Sequence, residues 1–206
     1  MNNLLNNAAL LVIDMQTGFD DPAWGARNNP GAEANVARLI AAWRGAECPV
    51  VHVHHDSPSL SGLLRRGTAG HVVKPEALPR EGERVYRKTV NSAFIGTSLE
   101  ADLRAMDIAT LVVVGLTTNH CISTTARMAG NLGFETMVAS DATATFDRAH
   151  LDGTMRGAEE VHRAALSDLR DEFAQIVTTQ WLIAALDGFT TERAAGAAIP
   201  EEVGHG

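Results

Sequence analysis

The chain has 206 residues, 45% of them hydrophobic, and a formal net charge of -8 at pH 7. That length and apolar content suit one domain with a sizeable core, and the charge disfavours polyanions such as nucleic acid as partners. No apolar stretch approaches a membrane span, and two cysteines with no apolar signal-like run after Met1 argue against a disulfide framework and for a reducing, cytoplasmic compartment.

Met1 to Asn7 are polar and Asn-rich, and read as a frayed leader that packs little. Ala9 to Ile13 (ALLVI) is an all-apolar run, which predicts a parallel strand buried on both faces, with Asp14 at its carboxyl end. A loop rich in Gly, Pro, Asn and Asp leads from it to a helix over about residues 32–46, whose Val36, Leu39, Ile40 and Trp43 share one face. Pro49 to His54 predicts a second strand, and the loop from Ser57 to Gly70 has the length of a lid or a subunit contact. Arg84 to Lys88 (RVYRK) predicts a short strand closed by Lys88. Thr97-Ser98-Leu99-Glu100 has the form of a capping box, opening a helix through Leu99, Leu103 and Met106.

The run Leu111 to Val114 predicts another strand buried on both faces, ended by Gly115. A turn from Leu116 to Asn119 then delivers Cys121 to the first turn of a helix that carries Ile122, Ala126 and Ala129 and stops at Asn131 and Gly133. Glu135 to Ser140 predicts a strand ending near Asp141, read as the cap of the following turn. A helix from about Gly157 to Leu169, a strand near Gln175 to Thr178 and a helix from Gln180 to Leu186 complete the fold. The tail from Thr190 is expected to be mobile or partner-bound, and Cys48, before Pro49, is read as structural.

Strands alternating with helices predict an α/β fold, a parallel sheet in three layers with helices on both faces, in one domain over residues 1–206. No GxGxxG follows a strand and no GxxxxGK[ST] occurs, so no motif supports a dinucleotide or a phosphate cradle. A thiol at a helix N-terminus is a candidate nucleophile, because the partial positive charge there favours thiolate and the N–H groups can hold an oxyanion. Taken singly, Cys121 could equally be a core thiol, Asp14 a loop-initiating carboxylate and Lys88 a solvated amine.

Three segments decide against those single readings: LLVIDMQTGF with Asp14, VYRKTVNSAF with Lys88, and VVGLTTNHCISTTARMAGNLGF with Cys121. Together they resemble the isochorismatase-like cysteine hydrolase superfamily, which includes nicotinamidases and N-carbamoylsarcosine amidases, over most of the chain. The resemblance implies a six-stranded parallel sheet of Rossmann-like topology and a catalytic triad of Asp14, Lys88 and Cys121. It also implies a non-proline cis peptide just ahead of Thr117, with the backbone N–H groups of Thr117 and Cys121 forming an oxyanion hole. Gln16, Phe19, Trp24, Phe94 and His120 are candidate substrate-binding residues, Gln16 equally a candidate for orienting a loop and the aromatic residues equally for packing.

In the nicotinamidase branch a metal site is built from an Asp-x-His pair just after the second strand. Here that region reads His52-Val53-His54-His55-Asp56, without that order. His52 and His54 share one strand face and, with His71, offer an alternative metal set, but the expectation is no metal and no other cofactor. The isochorismatase branch proper needs no nucleophilic thiol, so Cys121 tilts the reading towards C–N cleavage. The implied function is hydrolysis of a small amide, carbamoyl or ureido substrate through a thioester, by a cytoplasmic homo-oligomer whose partner is a small molecule. A vinyl-ether hydrolase and a non-catalytic binding or redox-sensing thiol protein are the alternatives.

Overall fold

The all-apolar runs become strands because only the interior of a parallel sheet hides both faces of such a segment. The computed structural model describes Leu5 and residues 7–197, with side chains through Gly188. β1 (Ala8–Ile13) is buried at every position. β2 (Val50–His55), β3 (Arg84–Lys88), the fully buried β4 (Thr110–Leu116) and β5 (Glu135–Ala144) follow. A small antiparallel hairpin, β6 (Arg148–Ala149) with β7 (Met155–Arg156), precedes β8 (Gln175–Val177). The helices are α1 (Ala32–Gly45), α2 (Leu99–Ala105), α3 (Ser123–Asn131), α4 (Ala158–Ser167) and α5 (Thr179–Ala197).

The main sheet is six-stranded and parallel, in the order β3-β2-β1-β4-β5-β8. Alternate residues of β1 divide the core. Leu10 and Val12 pack with Val36, Leu39, Ile40 and Trp43 of α1 and with Leu182 and Leu186 of α5. Leu11 and Ile13 pack on the other face with Leu99 and Leu103 of α2, Ala126 and Ala129 of α3, and Leu166 of α4. Strand order reverses between β1 and β4, and the crevice beyond the carboxyl ends of the strands at such a reversal is where α/β sheets place their ligands.

Several expectations are corrected. Gly115 does not end β4; it lies inside the strand at φ +116, where a Cβ would sit 2.0 Å from the Ile13 carbonyl oxygen, so its bare backbone lets β4 close against β1. β5 runs on past Ser140 to Ala144 through an irregularity opposite Val113 and Gly115. Asp141 lies within that strand and caps α5 instead of a following turn, its Oδ1 accepting from the Thr179 N–H at 2.8 Å and hydroxyl at 2.9 Å. The capping box does not form: Ser98 donates to Asp102, the Leu99 N–H goes to Thr97, and Glu100 pairs with Arg104. Within the expected frayed leader, Leu5 is fully buried in the core. Beyond Thr190 the chain continues α5 as far as Ala197, and the remainder of the expected tail, 198–206, lies outside the described residues, as do 1–4 and 6. Among the described residues no helix is long and apolar enough to cross a membrane.

Candidate active site

Three strand ends meet at the reversal point. Asp14 follows β1 at φ 53, its N–H bonded to the Val53 carbonyl at 2.8 Å, which turns the chain out of the sheet. Lys88 closes β3 opposite His55 of β2, and its side chain reaches back across β2 towards β1. Cys121 does not open an α-helix as expected; it sits in a single wide π-helical turn, Thr118–Ile122, that follows β4 and precedes α3. The Leu116–Thr117 peptide is cis, at the position the resemblance implies. The Thr117 carbonyl accepts from the N–H of His120 at 3.1 Å and of Ile122 at 3.2 Å, which closes the turn around the cysteine.

The Lys88 ammonium is the hub. Its Nζ lies 2.6 Å from Asp14 Oδ2, 3.0 Å from His55 Nδ1 and 3.2 Å from Cys121 Sγ, so its three protons meet three acceptors. The Lys88 and Asp14 side chains are both 0% exposed. A charge at that depth is tolerable only when paired and hydrogen-bonded. Asp14 Oδ1 is buried without a hydrogen bond of ordinary length.

Cys121 is also buried, and its thiol is pushed up to about 12, first by that burial and then by the Asp14 charge, with Lys88 pulling the other way. The helix-start position was expected to favour thiolate; burial and the Asp14 charge instead favour the protonated thiol. Burial, and then the Lys88 charge, lower His55, so its Nδ1 is available as an acceptor. The oxygen, nitrogen and sulfur of Asp14, His55 and Cys121 lie within 4.8 Å of one another, a spacing that suits a metal ion, but the Lys88 ammonium contacts all three and supplies the positive charge there.

The alternative set of His52, His54 and His71 does not converge. His52 Nε2 meets Glu83 at 2.9 Å, and His71 Nε2 meets Asp56 at 2.5 Å. His54 is lowered to about 4, chiefly by burial, and its Nε2 has no hydrogen-bond partner.

Gln16 is fully committed to the loop: its amide donates to the carbonyls of His55 and His71 at 3.1 and 3.2 Å and accepts from the His55 N–H at 2.8 Å. These bonds orient the loop after β1. Phe19 and Trp24 pack with Phe146 in the α1-side core, ring centroids 5.1 to 6.3 Å apart, and are not grouped with Cys121. Phe94 shares the opposite core cluster with Cys121 and stacks on Phe134. His120 is half-buried beside the cysteine, with Thr117 Oγ1 at 3.4 Å from Nδ1 and Arg148 Nη2 donating to Nε2 at 2.8 Å.

Four neighbours escaped the sequence reading. His55 stands out in the sequence only as part of a histidine run. Asn91, whose Oδ1 is 3.8 Å from Cys121 Sγ, lies inside the VYRKTVNSAF segment and carried no separate signal. Arg148 lies on a hairpin too short to show a strand pattern. His162 of α4 takes up the Thr118 hydroxyl at 2.8 Å; its place on the buried face of a helix was its sole signal.

The chain is similar to known proteins over most of its length. The isochorismatase domain model matches residues 8–180. The chain is 44% identical to the uncharacterized isochorismatase family protein YrdC of Bacillus subtilis (strain 168) over 85% of this chain and 94% of the relative. It is 33% identical to nicotinamidase 3 of Arabidopsis thaliana over 88% of this chain and 89% of that protein. A crystal structure assigned as an isochorismatase-family hydrolase from Chromobacterium violaceum superposes with a TM-score of 0.86 at 45% identity, covering 89% of this chain and 95% of that one. With a matching domain model over most of its length, relatives that span nearly their whole chains and a solved structure of the same shape, the chain belongs to the isochorismatase family of hydrolases.

Proposed function

We propose that the chain is a cysteine amidohydrolase that cleaves a C–N bond of a small amide, carbamoyl or ureido compound, with Cys121 as nucleophile, Asp14 as proton carrier and Lys88 as electrostatic support. The observation that carries this reading is the contact of one buried ammonium with both the carboxylate and the sulfur. A thiol held neutral needs a base at the moment of attack, and Asp14 keeps one oxygen without a hydrogen bond of ordinary length. Asp14 takes the thiol proton as sulfur adds to the carbonyl carbon, and Lys88 stabilises the sulfur while its charge develops. The N–H groups of Thr117 and Cys121 receive the oxyanion. Collapse expels the amine or ammonia with the proton from Asp14, leaving a thioester that water hydrolyses with Asp14 again as base.

The name of the Arabidopsis relative, a nicotinamidase, supports C–N cleavage as the reaction type. The thiol-sensor alternative calls for an exposed, low-pKa sulfur, and this one is buried and raised. The same reading carries a cytoplasmic, homo-oligomeric enzyme. Its test is a panel of small amides and ureido compounds with ammonia release as readout. Turnover that disappears in Cys121→Ala, with an acyl adduct on Cys121 in the quenched wild-type reaction, is the expected result. Normal turnover by Cys121→Ala sinks it.

A further inference from the structure

Along the buried face of α4, Ala158, Val161, His162 and Leu166 follow one another at helical spacing, and one of these positions carries an imidazole where the period alone asks for an apolar side chain. His162 is 4% exposed, and burial lowers it, with the Glu159 charge and the Ser140 carbonyl pulling the other way. The ring is therefore neutral at pH 7, with one nitrogen donating and one accepting. Asn29 Nδ2 lies 3.5 Å from Nε2, but its two protons go to the carbonyls of Ser140 and Thr143 at 2.8 and 2.7 Å. Nε2 thus keeps the ring proton, for which the Ser140 carbonyl is the acceptor, and Nδ1 accepts from the Thr118 hydroxyl at 2.8 Å.

That hydroxyl belongs to a residue three positions ahead of the nucleophile. Thr118 is fully buried and opens the π-helical turn, whose own backbone bonds, from the N–H groups of His120 and Ile122 to Thr117 and of Ser123 to Thr118 and His120, close the turn on itself. Such wide turns are rare and recur at functional sites. Side-chain bonds from two adjacent residues tie this one outward: Thr118 to His162, and Asn119, whose Oδ1 accepts from the Thr145 hydroxyl just past β5. The anchors are themselves held. Asp147 Oδ1 caps α4 at the Ala158 N–H at 2.7 Å, one turn before His162, and Asn28 joins the Thr145 N–H at 2.8 Å to Glu159 of α4 at 3.1 Å. The end of β5 and α4 thereby form one frame that holds the turn.

We propose that His162 is a positioning residue: as acceptor of the Thr118 hydroxyl it fixes the turn that sets the Cys121 sulfur 3.2 Å from the Lys88 ammonium. Its effect on turnover rests on the hydrolase reading above, to which it adds a residue that acts through Thr118 instead of on the substrate. A nucleophile misplaced by about 1 Å loses about two orders of magnitude in rate, so a single bond that holds the turn in register carries weight out of proportion to its distance from the chemistry.

Four substitutions test it. Thr118→Val keeps the shape of the side chain and removes the donor, His162→Ala removes the acceptor, and His162→Asn keeps one, since the Oδ1 of asparagine stands on Cγ as Nδ1 does. Val161→Ala, on the same face of α4, measures the effect of looser helix packing alone. On the amide that the wild type hydrolyses fastest in the panel above, Thr118→Val and His162→Ala should each lower kcat by about 10- to 100-fold with KM within about twofold, and the double variant should lose no more than either alone. His162→Asn should recover most of the kcat, and Val161→Ala should lower the urea midpoint with kcat within about twofold. The second arm needs no turnover: iodoacetamide should alkylate Cys121 several-fold faster at pH 8 in Thr118→Val and in His162→Ala, because a loosened turn uncovers the sulfur, and at the wild-type rate in Val161→Ala. That alkylation pattern in a protein that hydrolyses nothing in the panel upholds the positioning role and overturns the hydrolase reading. Unchanged alkylation, losses that add in the double variant, or a His162→Asn protein no better than His162→Ala overturns the positioning role and leaves the hydrolase reading standing.

Discussion

Lys88 shows what a single buried residue has to satisfy. Its three protons meet Asp14, His55 and Cys121, and removing it leaves the Asp14 charge uncompensated in a dry interior. Lys88→Met should therefore cost roughly 3–5 kcal/mol of stability, while the double variant Asp14→Asn, Lys88→Met, which removes both charges, should recover much of it; urea unfolding of the three proteins checks this. Lys88→Arg is not conservative here, since a planar guanidinium does not direct three protons at three converging acceptors. The raised thiol makes a second prediction. With Cys121 held at about 12, alkylation of the free enzyme by iodoacetamide should be slow at pH 8 and climb about tenfold per pH unit above it. Because the Asp14 charge is one of the two groups of effects that raise the thiol, Asp14→Asn should alkylate faster than the wild type at pH 8 even though its turnover is lost. At this scale Asp14 and Cys121 were conspicuous, as a charge and a thiol just beyond apolar runs, whereas Lys88 closes the polar strand RVYRK and was legible only through the three segments together. It did not display how the thiol is titrated, since that depends on burial and on which charge stands nearer. Nor did it resolve Gln16, whose amide serves a loop through partners 39 and 55 residues away.

Elements are positioned by a few residues whose roles are backbone-level or electrostatic. Gly115 is one, since a side chain there meets the backbone of β1 and also faces a left-handed φ. Gly115→Ala should cost about 3 kcal/mol or more and disturb the Asp14 turn with it, measurable as a lower urea midpoint together with lost turnover. The loop after β1 is tied to the start of α1 by Glu33, which takes Arg27 at 2.6 Å and Lys74 at 3.2 Å, while Lys74 also holds Asp20. Burial alone would raise the Glu33 carboxyl, but the Arg27 hydrogen bond and the nearby cations outweigh it and hold it at about 2, against an ordinary 4.5. A carboxyl depressed in the folded state contributes stability that is present above pH 4.5 and lost as the pH falls towards 2. Glu33→Gln should accordingly be less stable than the wild type at pH 7 and lose less on acidification, as unfolding titrations from pH 7 to pH 3 would register. The strand and helix assignments follow from hydrophobic period and were legible. The capping box was not, because Ser98 and Thr97 found side-chain and backbone partners one position out of step. The length of β5 was hidden too, because its second half, SDATA, has no apolar run, and its Ser140 and Asp141 meet partners 37 and 38 residues away.

At the scale of the molecule, the strand order reverses between β1 and β4, and this brings together groups 74 and 33 residues apart in sequence. Alternating elements indicated the layers of this arrangement; the convergence of Asp14, Lys88 and Cys121 came from the combined segments and from no single one. The homo-oligomer proposed above gives a test at this scale. Sedimentation should return a mass of at least twice the 21.9 kDa chain, and Leu60→Glu, in the loop where Leu60 is 82% exposed, should shift the mass towards one chain if that loop makes the contact. An unchanged mass on that substitution removes the loop from the interface. The cation among Asp14, His55 and Cys121 is a covalent part of β3, so it is not exchangeable with the medium. Dialysis against a chelator such as ethylenediaminetetraacetate should leave turnover unchanged, whereas loss of activity restored by added zinc would mean that a free ion takes part in the reaction.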